Sequence, residues 1–269
     1  MVYEFFSFYN EFDMLELKLQ EHAPHVDQFV ITESNRTYNQ IDKPYRLEQQ
    51  WQRYSKWHNK IKYLKFDANG VETGWPTEYA QREHGPQQTK FQPKDIVVIA
   101  DLDEILRPQD WQWLKDNIHN GSREIIFEME TYWCYADILH KRTQKALSAV
   151  LGKNYINSLT HRRPHQVFAK NTNPLEHTTV QPGGLHMSWF GGEQQFKEKL
   201  QGSIEGHAWT QGRNTDEEWQ NKQKGQLFHY KVKFKKSKTT RVPLSQNNTM
   251  TDSMKEFIKK HPEWLFSKN

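Results

Sequence analysis

Asp101, Asp103 and Glu104 place three carboxylates within four positions, directly after the apolar run Ile96-Val97-Val98-Ile99-Ala100. In an extended segment Asp101 and Asp103 point to one face. Two carboxylates that close repel each other unless a cation lies between them. Hard oxygen donors suit Mg²⁺ or Mn²⁺, ions that commonly hold substrate phosphates. The spacing therefore supports a divalent metal that holds a diphosphate. It equally serves an acidic turn that solvates a strand end.

A second stretch with chemical content is Gly183-Gly184-Leu185-His186-Met187-Ser188-Trp189-Phe190-Gly191-Gly192. Glycines on both sides of a histidine and two aromatics let backbone approach a ligand closely. A run of cations, Lys231, Lys233, Lys235, Lys236, Lys238 and Arg241, suits a solvated edge strand; phosphate contact is the other reading. Cys134 is the single cysteine. It rules out an internal disulfide, fits a reducing compartment and reads as a small buried hydrophobe.

The elements that must position these residues alternate between strand and helix. The unbroken run before Asp101 predicts a strand buried on both faces, and ligands of open α/β sheets gather at the carboxyl ends of such strands. Val2–Tyr9 and Val26–Thr32 predict two further strands. Between them Phe12, Leu15 and Leu19 recur at helical spacing, with Asn10 as cap and Asp13 in the first turn. Leu47, Trp51 and Tyr54 predict one face of a second helix, and Ile61–Phe66 a third strand. Pro76 opens a helix that carries Arg82. Trp111, Leu114 and Ile118 mark a helix that Gly121 ends. Glu124–Glu130 is again a strand. Helices are also expected at Glu193–Leu200, Asp216–Lys224 and Met254–Lys260, whereas Thr143–Pro182 carries little signal. The pattern is α/β, a mixed, mostly parallel sheet flanked by helices in one domain.

The chain has 269 residues and a formal charge of +4, with a mean hydropathy of −0.99. This balance permits an anionic ligand and gives no reason to expect nucleic acid as a partner. No run is apolar enough to cross a bilayer and the N-terminus lacks a signal-peptide pattern, so the expected location is cytoplasmic. The Asn35, Asn120 and Asn247 glycosylation sequons carry little weight in that setting.

Together these pieces resemble glycosyltransferase family 17, whose animal members add the bisecting N-acetylglucosamine to N-glycans. The resemblance runs through residues 8–16, 26–37 with Lys43-Pro44, Trp75 to Arg82, Asp101 to Ile105, Gly184 to Trp189 and Lys199-Leu200. It departs at Leu185, where the family often has Trp, lacks the animal members' membrane anchor, and is poor from about Thr131 to Gln181. It implies a GT-A type nucleotide-diphosphosugar transferase fold, with residues 1–130 for the nucleotide sugar and 131–269 for the acceptor and metal loop. The implied reaction is inverting transfer from a UDP-sugar to a glycan acceptor, with Mn²⁺ or Mg²⁺ as cofactor. Asp103 would bind the metal directly, Asp101 would touch the ribose or bind metal through water, and His186 would be a late-arriving metal ligand. Glu33 would bind the nucleoside or cap the following turn. Arg82 would reach the nucleotide or pair with a carboxylate, and Lys199 would contact the diphosphate or stay on an exposed helix face. A general base is required on the acceptor hydroxyl; Glu193, just after the metal-site loop, is the first candidate, with Glu104, Glu128, Glu130, Asp137 and Glu205 behind it. Other classes compatible with the residues are a metal-dependent phosphohydrolase or nucleotidyltransferase, and a carbohydrate-binding module without catalysis.

Overall fold

β1 (Val2–Phe8), α1 (Phe12–His22), β2 (Gln28–Ser34), α2 (Arg46–Gln49), β3 (Ile61–Phe66), α3 (Trp75–Gln87) and β4 (Ile96–Ile99) alternate along the first hundred residues. The strands pair in the order β3-β2-β1-β4, all parallel, so their carboxyl ends share one edge. The computed structural model describes residues 1–155, 177–204, 215–223, 226–227, 232–233 and 239–266.

β4 is buried on both faces, as its composition demands. Ile96, Val98 and Ala100 join a large core with Phe6, Phe8, Leu15 and Phe29, while Val97 and Ile99 pack with Tyr3, Phe5 and Val150 on the other side. α1 contributes Leu15, Leu17 and Leu19 to the large core. α3 closes on β1 and β2 at Gly85, where an added Cβ would lie 3.1 Å from the Phe5 ring.

The remaining elements are β5 (Glu104–Ile105), α4 (Pro108–Asn117), β6 (Glu124–Trp133), β7 (Ile138–His140), β8 (Gln144–Leu151), β9 (Thr178–Ser188), α5 (Glu193–Gly202), α6 (Thr215–Gln223), β10 (Gln226–Leu227), β11 (Val232–Lys233), β12 (Thr239–Arg241) and α7 (Asp252–Lys259). β8 lies antiparallel between β4 and β6, which extends the first sheet to the order β12-β7-β6-β8-β4-β1-β2-β3. β9 runs parallel to β6 and antiparallel to β5. The result is the expected α/β sheet of mixed sense with helices on its faces.

Several local expectations change. The second helix is only Arg46–Gln49, followed by a 3-10 stretch over Trp51–Lys60 that leaves helical geometry at Tyr54. Leu47 and Tyr54 are nonetheless fully buried. Asn10 does not cap α1, because its amide donates to Glu198 Oε2 at 2.9 Å and Glu11 takes the cap position. Gly121 adopts φ +90°, but three residues beyond the end cap of α4. Of the stretch from Thr143 to Pro182, the described residues include β8 and the start of β9, where small and polar residues weaken the strand pattern. Of the basic run, Thr239–Arg241 forms the edge strand β12. Lys231, Lys235, Lys236 and Lys238 lie outside the described residues, as does Glu205.

Gly183 and Gly184 sit inside β9, where its register with β6 shifts between Glu128 and Glu130. They serve packing. Gly184 has φ +76°, and a Cβ there would come within 2.8 Å of Met129 Cε and 3.0 Å of Ile105 O. Gly184→Ala combines backbone strain with overpacking and is expected to cost about 2–4 kcal/mol. Denaturant unfolding measures the loss, and a value near zero would contradict this packing.

Candidate active site

A cavity of about 370 Å³ opens at the carboxyl edge of β1 and β4. Asp101 and Asp103 enter it from the turn after β4, Arg82 from α3, His186 from β9 and Lys199 from α5. Five of the seven residues singled out from sequence are thus drawn together from segments far apart in the chain. The acidic segment is a turn rather than an extended strand, so Asp101 and Asp103 reach the cavity without sharing a strand face.

The turn is held from behind by charges that the sequence reading passed over. Lys18 of α1 is fully buried and donates from Nζ to the carbonyls of Asp101 at 3.0 Å and Glu104 at 2.7 Å. The same ammonium pairs with Glu4 Oε1 at 3.0 Å. Glu4 also accepts from His22 Nδ1 at 2.9 Å, and His22 Nε2 accepts the Leu106 N–H at 2.8 Å. Burial opposes the Glu4 charge, but His22 and Lys18 outweigh it and keep its carboxyl below the usual range. Burial dominates at His22 and lowers its pKa, which suits a neutral ring that donates at one nitrogen and accepts at the other. The signal was present: Leu15, Lys18 and His22 lie on one face of α1, so two polar side chains continue an apolar stripe, opposite a glutamate in an otherwise apolar strand.

Within the cavity the acidic residues already face cations. Arg82 is paired with Glu78 at 2.9 Å and with Asp101. Although burial opposes its charge, these carboxylates raise its pKa well above the ordinary value. Asp103 lies 3.5 Å from His186 Nε2 and 3.7 Å from Lys199 Nζ. Burial would raise the Asp103 pKa, yet Lys199 and His186 hold it low. Burial would likewise lower the pKa of His186, and Asp103 reverses the shift. His186 Nδ1 donates to Gln144 Oε1 at 3.1 Å, which directs Nε2 toward Asp103. Lys199 also pairs with Glu11 at 3.3 Å, and Glu11 and Asp103 lift its pKa against burial. Glu104 accepts the Asp101 N–H at 2.9 Å; burial and the Asp101 charge push its carboxyl up to about 7.

Asp103 and His186 offer a carboxylate and an imidazole across 3.5 Å, a donor set that Mn²⁺ accepts. Adjacent ligands on one octahedral ion stand roughly 3 Å apart, given bonds near 2.1 Å. Asp101 is turned to Arg82 instead. Among the described residues, the three-residue group of His, Cys, Asp or Glu whose ligand atoms all lie within 4.8 Å of one another is Asp13, His261 and Glu263, on a different face with Asp13 tied to Arg53.

His186 is not carried by a loop. It lies within β9, opposite Glu104 of β5, and the next residue's N–H donates to Asp103 O at 2.8 Å. Glu33 does not reach the cavity. Its fully buried carboxylate accepts from Lys43, the Arg46 and Leu47 N–H groups and Tyr63, so it caps the start of α2. Lys43 lines the cavity in its place. Glu193 opens α5, is about half exposed and pairs with Lys197. Neither it nor Glu104, Glu128, Glu130 or Asp137 lines the cavity, whose described carboxylates are Glu11, Asp101 and Asp103. Cys134 is fully buried, as expected. No helix of the described residues is long and apolar enough to cross a membrane.

An acidic turn and a cation-lined cavity lie together at the strand ends of a mixed α/β sheet, the arrangement expected of a GT-A type fold. Residues 1–169 match the model of glycosyltransferase family 17. That is more than half of the 269-residue chain, which therefore belongs to the family and is a glycosyltransferase. No curated protein matches the chain. Among solved structures it is similar to 4-diphosphocytidyl-2C-methyl-D-erythritol synthase from Anaerococcus prevotii, at 10% identity and TM-score 0.42 over 68% of this chain and 87% of that one. It is also similar to a protein described as a nucleotide-diphospho-sugar transferase from Desulfovibrio desulfuricans, at 8% identity and TM-score 0.40 over 79% and 88% of the two chains.

Two predictions concern the buried support. Lys18→Met strands the Glu4 charge and should cost about 3–5 kcal/mol; in a double-mutant cycle Glu4→Gln with Lys18→Met should cost clearly less than the sum. Additive losses would mean that the two do not interact. The depressed pKa of His22 stabilises the fold above its unfolded pKa of about 6.5 and loses that contribution as pH falls below it. His22→Gln should therefore flatten the fall in Tm between about pH 7 and 5. His186, with its raised pKa, contributes with the opposite sign and is unchanged in that comparison.

Proposed function

We propose that this glycosyltransferase is metal-dependent and inverting, and that it moves a sugar from a UDP-sugar, N-acetylglucosamine by family resemblance, to a glycan acceptor. The observation that carries the reading is the facing pair Asp103 and His186, with Lys199 against Asp103, in a cavity at the carboxyl edge of β1 and β4. Asp103 and His186 would hold Mn²⁺, or Mg²⁺ with a poorer match to imidazole. When bound, the metal would neutralise charge on the leaving diphosphate. Lys199 exchanges its long contacts with Asp103 and Glu11 for a diphosphate oxygen and stabilises that oxygen as charge develops. Arg82 fixes Asp101 toward the ribose. Lys43, steadied by Glu33, brings a further cation to the nucleotide side. On this reading residues 1–130 supply the nucleotide side and 131–269 the acceptor side together with His186.

The test is calorimetric titration of UDP with and without Mn²⁺, coupled to product analysis with UDP-sugars. His186→Ala and Asp103→Ala should each fold and weaken metal-dependent UDP binding by more than the roughly 10–100-fold typical of residues behind the ligands. The double variant should be little worse than either single one. Release of UMP or sugar phosphate in place of UDP would favour a phosphohydrolase or nucleotidyltransferase. Unchanged Mn²⁺-dependent affinity in folded His186→Ala would remove His186 from the metal site.

A further inference from the structure

The cavity wall changes chemistry along its length. Arg36 and Lys43 lie on the β1–β2 side, whereas Trp133, Gln144, Ser188 and Trp189 lie on the β6–β9 side, with Gln144 bonded to His186. Among the described residues that line this second side there is no carboxylate, and the Lys199 ammonium lies 5.5 Å from the Trp189 ring centroid. Such a surface suits a neutral molecule with one apolar face and a polar rim.

Trp133 is half-buried at the cavity, whereas Trp189 is only 5% exposed and belongs to a buried cluster with Cys134 and Phe196 against which Trp133 packs. Trp133 ends β6 opposite Ser188 of the parallel β9, so Trp133 and Trp189 stand at neighbouring strand ends. Both chains turn there through left-handed residues, Cys134 at φ +63° and Trp189 at φ +65°. Bulky side chains rarely adopt that conformation, and such strain gathers at binding sites that the surrounding structure holds in place. The Cys134 N–H donates to Ser188 O at 2.8 Å and locks the two turns together. Each indole is braced from its own side: Trp133 stacks on His140 at 5.8 Å, and Trp189 meets Phe196 edge-on at 5.8 Å.

We infer that Trp133, backed by the buried cluster that holds Trp189, forms a wall that packs against the C–H face of a pyranose ring, with Gln144 and Ser188 placed for its hydroxyls. The inference rests on the glycosyltransferase reading and deepens it by naming the residues that hold a sugar rather than the nucleotide. An aromatic ring matches the apolar face of a pyranose, and a few polar groups at its edge fix orientation. The ring belongs either to the donor sugar or to the acceptor, and the experiment separates these sources.

Trp133→Leu keeps apolar bulk and removes the aromatic face, and Trp133→Phe keeps a ring. In the presence of Mn²⁺, UDP should bind Trp133→Leu within about twofold of wild type, whereas sugar contact should fall roughly fivefold or more, as expected for an aromatic contact. Two readouts follow the sugar: the extra affinity of UDP-N-acetylglucosamine over UDP, and saturation-transfer NMR with methyl β-glucoside and methyl β-mannoside. Loss in the first assigns the wall to the donor sugar, and loss in the second assigns it to the acceptor. Trp133→Phe should retain most of either. No change in both, or an equal loss for UDP itself, overturns the inference; the latter would make the indoles a base-stacking surface. Failure of wild-type protein to bind UDP at all would instead sink the glycosyltransferase chemistry proposed above. Should Trp133→Leu not fold, wild-type protein deuterated everywhere except tryptophan decides the matter. Magnetisation must then pass from indole to sugar ring protons, and transfer to uridine alone overturns the wall.

Discussion

A lysine ammonium with no access to water holds the carboxyl edge of the sheet at the cavity. Lys18 joins α1 to the carbonyls at both ends of the acidic turn and to Glu4 in β1. A buried ion pair is weak evidence for stability, because desolvation consumes most of the Coulomb gain. Its value here is positional. The turn bonds to itself through the Glu104 N–H and Asp101 O at 3.2 Å, and further polar groups of Asp101 to Leu106 are satisfied from outside. Lys18 takes two of its carbonyls, His22 takes the Leu106 N–H, and the Glu104 carboxyl takes the Asp101 N–H. The aspartates then project from a backbone that is tied down at both ends of the turn.

The other half of the site is positioned by strand pairing. β9 lies between β6 and β5, and the pairing of Glu104 with His186 sets the histidine beside Asp103. β9 also approaches α4 closely, and Gly183 and Gly184 make room for it. Asp110 of α4 accepts the Gly184 N–H at 2.9 Å while also taking the Arg107 N–H at the start of the same helix. One carboxylate therefore fixes a helix terminus and the strand that carries His186. A histidine placed in this way is present before any ligand arrives, and on the proposed reading metal affinity would depend on preorganised backbone rather than on closure of a distant loop.

The sequence made the first, parallel half of the sheet legible because its signals are local. A β-branched run ending in acids, helices with apolar repeats and a proline at a helix start each announce themselves within ten residues. The family resemblance added Arg82, His186 and Lys199, whose convergence no spacing rule provides. What stayed hidden was relational. Glu33 looks like a strand-end ligand until four donors are seen to occupy it. Glu193 lies close in sequence to the site but opens a helix whose first turn faces solvent. β8, which joins the two halves of the sheet, is built from Ala, Ser and Lys as much as from Leu and Val, and its burial comes from neighbours on both sides. Lys18 and His22 are the instructive omissions, since a polar residue on an apolar helical face is visible in sequence while its partners are not.

The charge balance of the cavity bears on how donor and metal would bind. Asp101 is already met by Arg82, and Asp103 by Lys199 and His186. A divalent ion arriving alone would meet a carboxylate whose field is partly cancelled, beside an imidazole whose pKa that carboxylate raises. A diphosphate arriving with the ion changes both terms. It offers Lys199 a better anion than Asp103 at 3.7 Å, and it neutralises the ion, so that burial beside Arg82 and Lys199 costs less. On the proposed reading, metal and nucleotide therefore bind as a unit, each lowering the electrostatic cost of the other. The coupling arises from Lys199 changing partners within a backbone that stays in place. It requires no rearrangement of β9, and it accounts for a lysine that sits between Glu11 and Asp103 at distances longer than a close ion pair.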